Sequence, residues 1–120
     1  MFSNFLLVGL GGGIGSMLRY GTYRVMNAGQ FPIATFTVNI AGSFLIGLIA
    51  GLSLKNAEFA GNWKLFLATG ICGGFTTFSA FSADNLQLLQ NGRYLTALLY
   101  TLASAGLGLA AAFGGFKLMQ

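Results

Sequence analysis

The chain has 120 residues, of which 55% are hydrophobic and only 7% are charged, and its net charge is +4. Soluble domains carry about 25% charged residues, so the sequence excludes a water-soluble fold and predicts one all-α integral membrane domain over residues 1–120. Histidine is absent, the only acids are Glu58 and Asp84, and the basic residues form no stripe, so neither an enzyme nor a nucleic-acid partner is expected.

Four apolar segments follow one another along the chain, each close to the ~20 residues that a helix needs to cross a bilayer. The first covers about residues 4–24 and lacks the positively charged start of a secretion signal, so we expect it to be retained. Its polar end carries Arg19, which either snorkels to the interface or biases an aqueous entrance toward anions. The other segments cover about residues 33–54, 63–90 and 94–116, with turns predicted at 27–32 and 90–93.

The basic residues give the four predicted helices no preferred orientation. They divide equally between the two sides, with Lys55, Lys64 and Lys117 on the side of the termini and Arg19, Arg24 and Arg93 on the other. Basic residues normally concentrate on the cytoplasmic side, so this division provides almost no topological bias. Two interpretations remain: chance in a chain with few charges, or dual topology, in which the chain inserts both ways and two copies assemble antiparallel.

Polar residues occur within the second and fourth predicted spans, where they are costly unless they have partners or a function. Thr35, Asn39 and Ser43 are four residues apart and therefore share one face of the second helix. Tyr100 and Ser104 have the same spacing in the fourth. These residues serve either as helix–helix hydrogen bonds, worth about 0.6–2 kcal/mol each, or as a site for a polar solute.

The third span contains the sequence GGFTTFSAFS at residues 73–82. Glycine and β-branched threonine are poor formers of helix interiors, so Gly73–Thr77 is predicted to interrupt the helix. Such a break frees backbone carbonyls at membrane depth, and carbonyls of this kind are a recurrent cation site. Beyond it, Phe78 and Phe81 share one helical face, which is typical either of core packing or of rings that present their electropositive edges.

These residues together suggest a path for a small, strongly hydrated anion. Hydroxyls, an amide and ring edges can replace lost water, whereas a full positive charge at the centre would trap the ion. The sequence offers such donors without a central cation. The predicted donors are Asn39, Ser79, Ser82, Tyr100 and Ser104.

Four stretches of the chain resemble the Fluc (CrcB) family of fluoride channels. They are GGGIGSMLRY (11–20), TVNIAGSFLIG (37–47), GGFTTFSAFS (73–82) and YTLASAGLG (100–108), and the resemblance extends over essentially the whole chain. It implies a passive, highly selective channel that exports fluoride across a bacterial inner membrane. It also implies an antiparallel, dual-topology homodimer with two pores.

The resemblance assigns roles to individual positions. It implies that Phe78 and Phe81 line each pore, and that the backbone carbonyls of Gly73 and Thr76 hold a structural Na⁺ at the dimer centre. Ala80 stands where many relatives have Thr or Ser, which removes one expected hydroxyl from the pore wall. The pore and vestibule positions implied outside this span are Asn39, Tyr100, Ser104 and Arg19.

Two other classes of protein remain as alternatives. A small multidrug-resistance transporter has this length and helix number, but it needs a membrane-embedded Glu in its first span, and residues 4–24 contain no acid. A non-conducting structural membrane protein would account for the 19 glycines. It would leave Asn39, Tyr100 and the interrupted third span unexplained.

Overall fold

Helices account for most of the chain in a computed structural model, which describes residues 2–26 and 31–120. This confirms the all-α class, and the predicted turn at 27–32 lies largely outside the described residues. The four predicted spans correspond to four helical stretches in the same order. The segments are α1 (Phe2–Val25), α2 (Ile33–Lys55), two π-helical segments (Phe59–Trp63 and Leu65–Cys72), α3 (Gly73–Phe75), α4 (Phe78–Gln90) and α5 (Tyr94–Leu118).

Three of the described stretches are long and apolar enough to cross a membrane: Ile33–Lys55, Phe59–Gln90 and Tyr94–Leu118. α1 has the length, at 24 residues, but is not among them. Its glycines and Arg19 lower its mean hydropathy, although much of its surface is apolar and exposed, including Phe5 and Leu10. The longest dimension is 49 Å, which matches a bilayer of about 40–45 Å including its headgroups.

The third stretch becomes helical at Phe59, four residues before the predicted start of its span at Trp63. The Asn56 side chain explains the early start, because its Oδ1 accepts the backbone N–H groups of Glu58 (3.0 Å) and Phe59 (3.2 Å). These are N–H groups that the first helical turn cannot satisfy itself. Gly61, with φ −88° and ψ −115°, then bends the first π-helical segment.

The break in the third span is shorter than the sequence predicts. Helical structure continues through Gly73 to Phe75, and only Thr76 (φ −84°, ψ 154°) and Thr77 (φ −154°, ψ 123°) are extended. The prediction that Gly73 itself lies in unwound backbone is therefore wrong. A Cβ at Gly74 would overlap the Gly12 carbonyl of α1, so this glycine permits close helix packing. The two β-branched threonines carry the extended conformation.

Small residues join the helices in two pairs. α2 lies along α5 in parallel, with Gly47 against Ala112, and α1 lies along the Leu65–Phe75 region, with Gly11 against Gly70. A Cβ at Gly11 would approach the Gly70 Cα to 2.8 Å, closer than real side chains come. Glycine and alanine at these contacts thus let the helix backbones approach each other closely, as is typical of helices packed in lipid.

Candidate functional site

The break at Thr76–Thr77 is held by two predicted site residues from other helices. The Asn39 amide pairs with the Thr77 peptide: Nδ2 donates to the Thr77 carbonyl (3.3 Å), and the Thr77 N–H donates to Oδ1 (2.9 Å). From α1, the half-buried Arg19 donates from Nε to the Gly74 carbonyl (3.1 Å). Both side chains therefore satisfy backbone that a continuous helix would have satisfied alone.

The break takes the carbonyls of residues 73–76 out of the helical hydrogen-bond ladder. In a continuous α-helix, the Gly73 carbonyl would accept from the N–H of Thr77, and the Thr76 carbonyl from that of Ala80. The Thr77 N–H donates to Asn39, and the Ala80 N–H donates to the Thr77 hydroxyl (3.2 Å). In the described part of the chain, no group of three or more His, Cys, Asp or Glu side chains is placed to hold a metal.

An aromatic row leads from the break into the core. The Phe78 and Phe81 ring centroids are 5.8 Å apart, and those of Phe81 and Tyr100 are 4.9 Å apart. Tyr100 is fully buried, Phe81 is half-buried, and Phe78 is 78% exposed on the protomer. The expected pairing of Phe78 and Phe81 on one helical face is confirmed, and the row links buried residues to an open surface.

Two hydrogen bonds form a polar cluster at the other end of this row. The Tyr100 hydroxyl donates to Asp84 Oδ2 (3.1 Å), and the hydroxyls of Tyr23 and Thr35 lie 2.8 Å apart. Asp84 therefore has a neutral partner on α5, which the sequence did not identify. Tyr23 was likewise missed as a member of the cluster, because nothing in the spacing of the chain relates it to Thr35.

A cavity and a groove flank the aromatic row. The cavity, of about 800 Å³, opens among charged and polar residues that include Tyr23, Arg24, Thr35, Asp84, Gln87 and Arg93. The groove, of about 410 Å³, lies on the other side and is lined by residues that include Asn39, Ser43, Thr76, Phe78 and Gly108. The predicted residues are therefore distributed along a line rather than gathered at one point.

Two helices, α2 and α4, carry polar or aromatic groups along this line from cavity to groove. On α2, Thr35 lines the cavity, and Asn39 and Ser43 line the groove one and two turns later. On α4, Asp84 lines the cavity and Phe78 the groove, with the half-buried Phe81 between them. This arrangement is suited to passing a small polar solute between the two openings.

The serines predicted as donors occupy different environments. Ser104 on α5 follows Tyr100 by one turn, and its enclosed Oγ has no hydrogen-bond partner within the described residues. Ser79 is exposed, with its Oγ 3.0 Å from the Thr77 hydroxyl, and Ser82 is exposed on α4. An enclosed, unpartnered hydroxyl is unusual in folded proteins, so Ser104 Oγ is available to a ligand.

The Tyr100–Asp84 hydrogen bond yields a stability prediction. Tyr100→Phe keeps the buried ring but leaves the Asp84 carboxyl without its partner, so we expect the free energy of unfolding to fall by about 1–3 kcal/mol. Denaturation in detergent measures this value, with Tyr94→Phe as control because Tyr94 is largely exposed. Equal stability of the two variants would show that the hydrogen bond contributes nothing.

These features define a helical, multi-pass membrane protein in which an interrupted span, an aromatic row and polar side chains connect two openings. The chain belongs to the CrcB family: the family model described as CrcB-like protein, Camphor Resistance (CrcB), matches residues 6–116.

Relatives named fluoride-specific ion channel FluC match the chain over nearly its full length. The protein from Azobacteroides pseudotrichonymphae is 46% identical, covering 100% of this chain and 98% of its own. The Rhizobium meliloti protein is 45% identical, with coverages of 98% and 97%. A Thermus thermophilus protein is 52% identical, with coverages of 95% and 93%. These channel names confirm that no enzyme is to be expected.

Proposed function

We propose that this chain is a passive, selective fluoride channel that exports fluoride across the cytoplasmic membrane of a bacterium and relieves fluoride toxicity. The observation that carries the proposal is the near full-length similarity to relatives named as fluoride-specific ion channels. HF is a weak acid that enters cells and dissociates inside, so a passive route for the anion out of the cell is protective.

The line from cavity to groove is the proposed route for fluoride. Arg24 and Arg93 at the cavity favour anions near the entrance, and the hydroxyls and amide beyond it replace water around the dehydrating ion. The Phe78 and Phe81 rings supply electropositive edges without a full charge. The residues assigned to the pore are Asn39, Phe78, Ser79, Phe81, Ser82, Tyr100 and Ser104, with Arg19 as an electrostatic residue near the vestibule.

The proposed channel is an antiparallel homodimer with two pores. The exposed Phe78 ring and the open groove leave the pore wall of a single protomer incomplete, which supports a second copy as its other half. Equal numbers of basic residues on the two sides support insertion in both orientations. Membrane lipid then covers the remaining exposed apolar side chains.

A structural Na⁺ is proposed at the dimer centre, held by the backbone carbonyls of Gly73 and Thr76 from each protomer. The observations that support this fit are the loss of the helical partners of these two carbonyls and the exposure of Gly73 on the protomer surface. Bound there, Na⁺ would supply positive charge that offsets the carbonyl dipoles brought together by the two chains.

Growth in fluoride tests the proposed function in cells. A bacterial strain without its own fluoride exporter should grow in fluoride concentrations that arrest the vector control when it expresses this chain. Growth in matched chloride medium controls for general effects of a membrane protein. Fluoride sensitivity equal to the vector control, at verified membrane expression, would contradict the proposal.

Impermeant labelling tests dual topology. In a Cys72→Ser background, a single cysteine at the exposed Asn62 should be labelled to about half by a membrane-impermeant maleimide applied to intact cells. The other half should become labelled only after permeabilisation. Labelling near completion, or near zero, before permeabilisation would mean one orientation and would exclude the antiparallel dimer.

A further inference from the structure

We propose that Asn39 and Thr77 are positioning residues that keep the Gly73 and Thr76 carbonyls available to a cation by binding the two N–H groups that would otherwise satisfy them. The inference rests on the proposed function, because it concerns the same Na⁺ site. It assigns Thr77 a role that the sequence did not suggest, and gives Asn39 a role besides that of an anion donor.

Each residue withdraws one N–H group. Asn39 Oδ1 accepts the Thr77 N–H (2.9 Å), the group that would close the next helical turn on the Gly73 carbonyl. The Thr77 hydroxyl accepts the Ala80 N–H (3.2 Å) as the N-cap of α4, and that N–H would otherwise reach the Thr76 carbonyl. Two local hydrogen bonds therefore remove the helical partners of the two carbonyls that the family resemblance assigns to Na⁺.

Neighbouring contacts satisfy two carbonyls of this region other than those of Gly73 and Thr76. The Gly74 carbonyl lies between them in the chain and is occupied by Arg19 Nε (3.1 Å). The Thr77 carbonyl is occupied by Asn39 Nδ2 (3.3 Å). Buried polar groups without partners are expensive in a membrane, so satisfying the Gly74 and Thr77 carbonyls lowers the cost of the break.

α2 also packs against Thr76, the first of the two extended residues at the break. Gly42 lies three residues after Asn39 on α2, and a Cβ there would overlap the Thr76 Cγ2 methyl and approach the Phe75 ring to 3.5 Å. Thr76 is thereby packed against the same helix that binds the Thr77 peptide. Fixed in this way, the backbone cannot relax into a helix without losing both the packing and the Asn39 hydrogen bonds.

Sodium-dependent stability of the purified dimer tests the inference with a readout other than ion flux. Thermal melting is followed by circular dichroism while NaCl is replaced by N-methyl-D-glucamine chloride at constant ionic strength. The variants are Asn39→Leu, which frees the Thr77 N–H, and Thr77→Val, which frees the Ala80 N–H but keeps the β-branched shape. Thr77→Ser keeps the hydroxyl, and Thr69→Val on the exposed surface of the same span is the matched control.

We expect Asn39→Leu and Thr77→Val each to raise the Na⁺ concentration for half-maximal stabilisation by about tenfold, with Thr77→Ser and Thr69→Val close to wild type. A wild-type sodium response in both Asn39→Leu and Thr77→Val would overturn the inference. Should Asn39→Leu fail to fold, the inference is tested by the two Thr77 variants alone. The Na⁺ concentration for half-maximal stabilisation should then be higher for Thr77→Val than for Thr77→Ser, and equal values would overturn the inference. A wild-type protein indifferent to Na⁺ would also overturn it, whereas fluoride efflux by that protein would leave the channel function standing.

Discussion

Replacing Phe81 by isoleucine should lower the rate of fluoride efflux through the purified protein by at least about tenfold while leaving a folded dimer. Isoleucine keeps most of the apolar volume but removes the ring edge that lies between the Phe78 and Tyr100 rings. A tenfold rate loss corresponds to about 1.4 kcal/mol of barrier, within the range that an aromatic contact supplies. Efflux from reconstituted vesicles, followed with a fluoride electrode, measures the rate, and size-exclusion chromatography verifies the dimer.

Phe5→Ile provides the matched control for this substitution. Phe5 is an exposed apolar residue on α1, away from the aromatic row, so its replacement should leave efflux unchanged. Wild-type efflux by a dimeric Phe81→Ile protein would mean that the ring edge plays no part in conduction. Phe81 would then be an ordinary packing residue, which is the alternative its helical spacing left open.

The second large effect is expected at Gly47, where α2 meets α5. A single methyl group in Gly47→Ala would overlap the Ala112 carbonyl and lie within 2.9 Å of the Phe116 nitrogen. Both neighbours are backbone and have no side-chain rotamer that relieves the collision, so the helices must separate. We expect a loss of about 1–3 kcal/mol or more in the free energy of unfolding, measured by denaturation in detergent.

Gly106→Ala on α5 is the control, because no atom lies within 4 Å of the added Cβ on the protomer. Alanine is the better helix former by about 1 kcal/mol, so this variant should be equal to or more stable than wild type. Equal stability of Gly47→Ala and Gly106→Ala would show that the close α2–α5 approach does not contribute to folding.

Hydropathy predicted the helical stretches well because a membrane leaves the backbone few alternatives. Segment ends agreed within a few residues, as at Ile33 and Tyr94, where α2 and α5 begin. The break was less accurately predicted, because glycine in a soluble helix is a breaker, whereas Gly74 here remains helical and permits contact with Gly12. Only the tertiary packing distinguishes these two uses of glycine.

The sequence identified polar residues of the site but not their partners. Asn39 was predicted as a donor to an anion and Arg19 as a vestibule charge, yet both bind backbone in the third span, 38 and 55 residues away. A backbone partner has no side-chain signature, so no spacing rule could have revealed these contacts. The hydrogen-bond partners of Asp84 and Thr35 could not be predicted either, because each of these hydrogen bonds joins two different helices.

The selectivity of ion efflux from proteoliposomes tests the central claim most directly. Purified protein is reconstituted into vesicles loaded with equal concentrations of potassium fluoride and potassium chloride, and efflux is started with valinomycin while ion-selective electrodes follow both anions. The account predicts rapid fluoride efflux with chloride efflux no faster than from protein-free vesicles. Equal efflux of the two anions, or none of either, would contradict it.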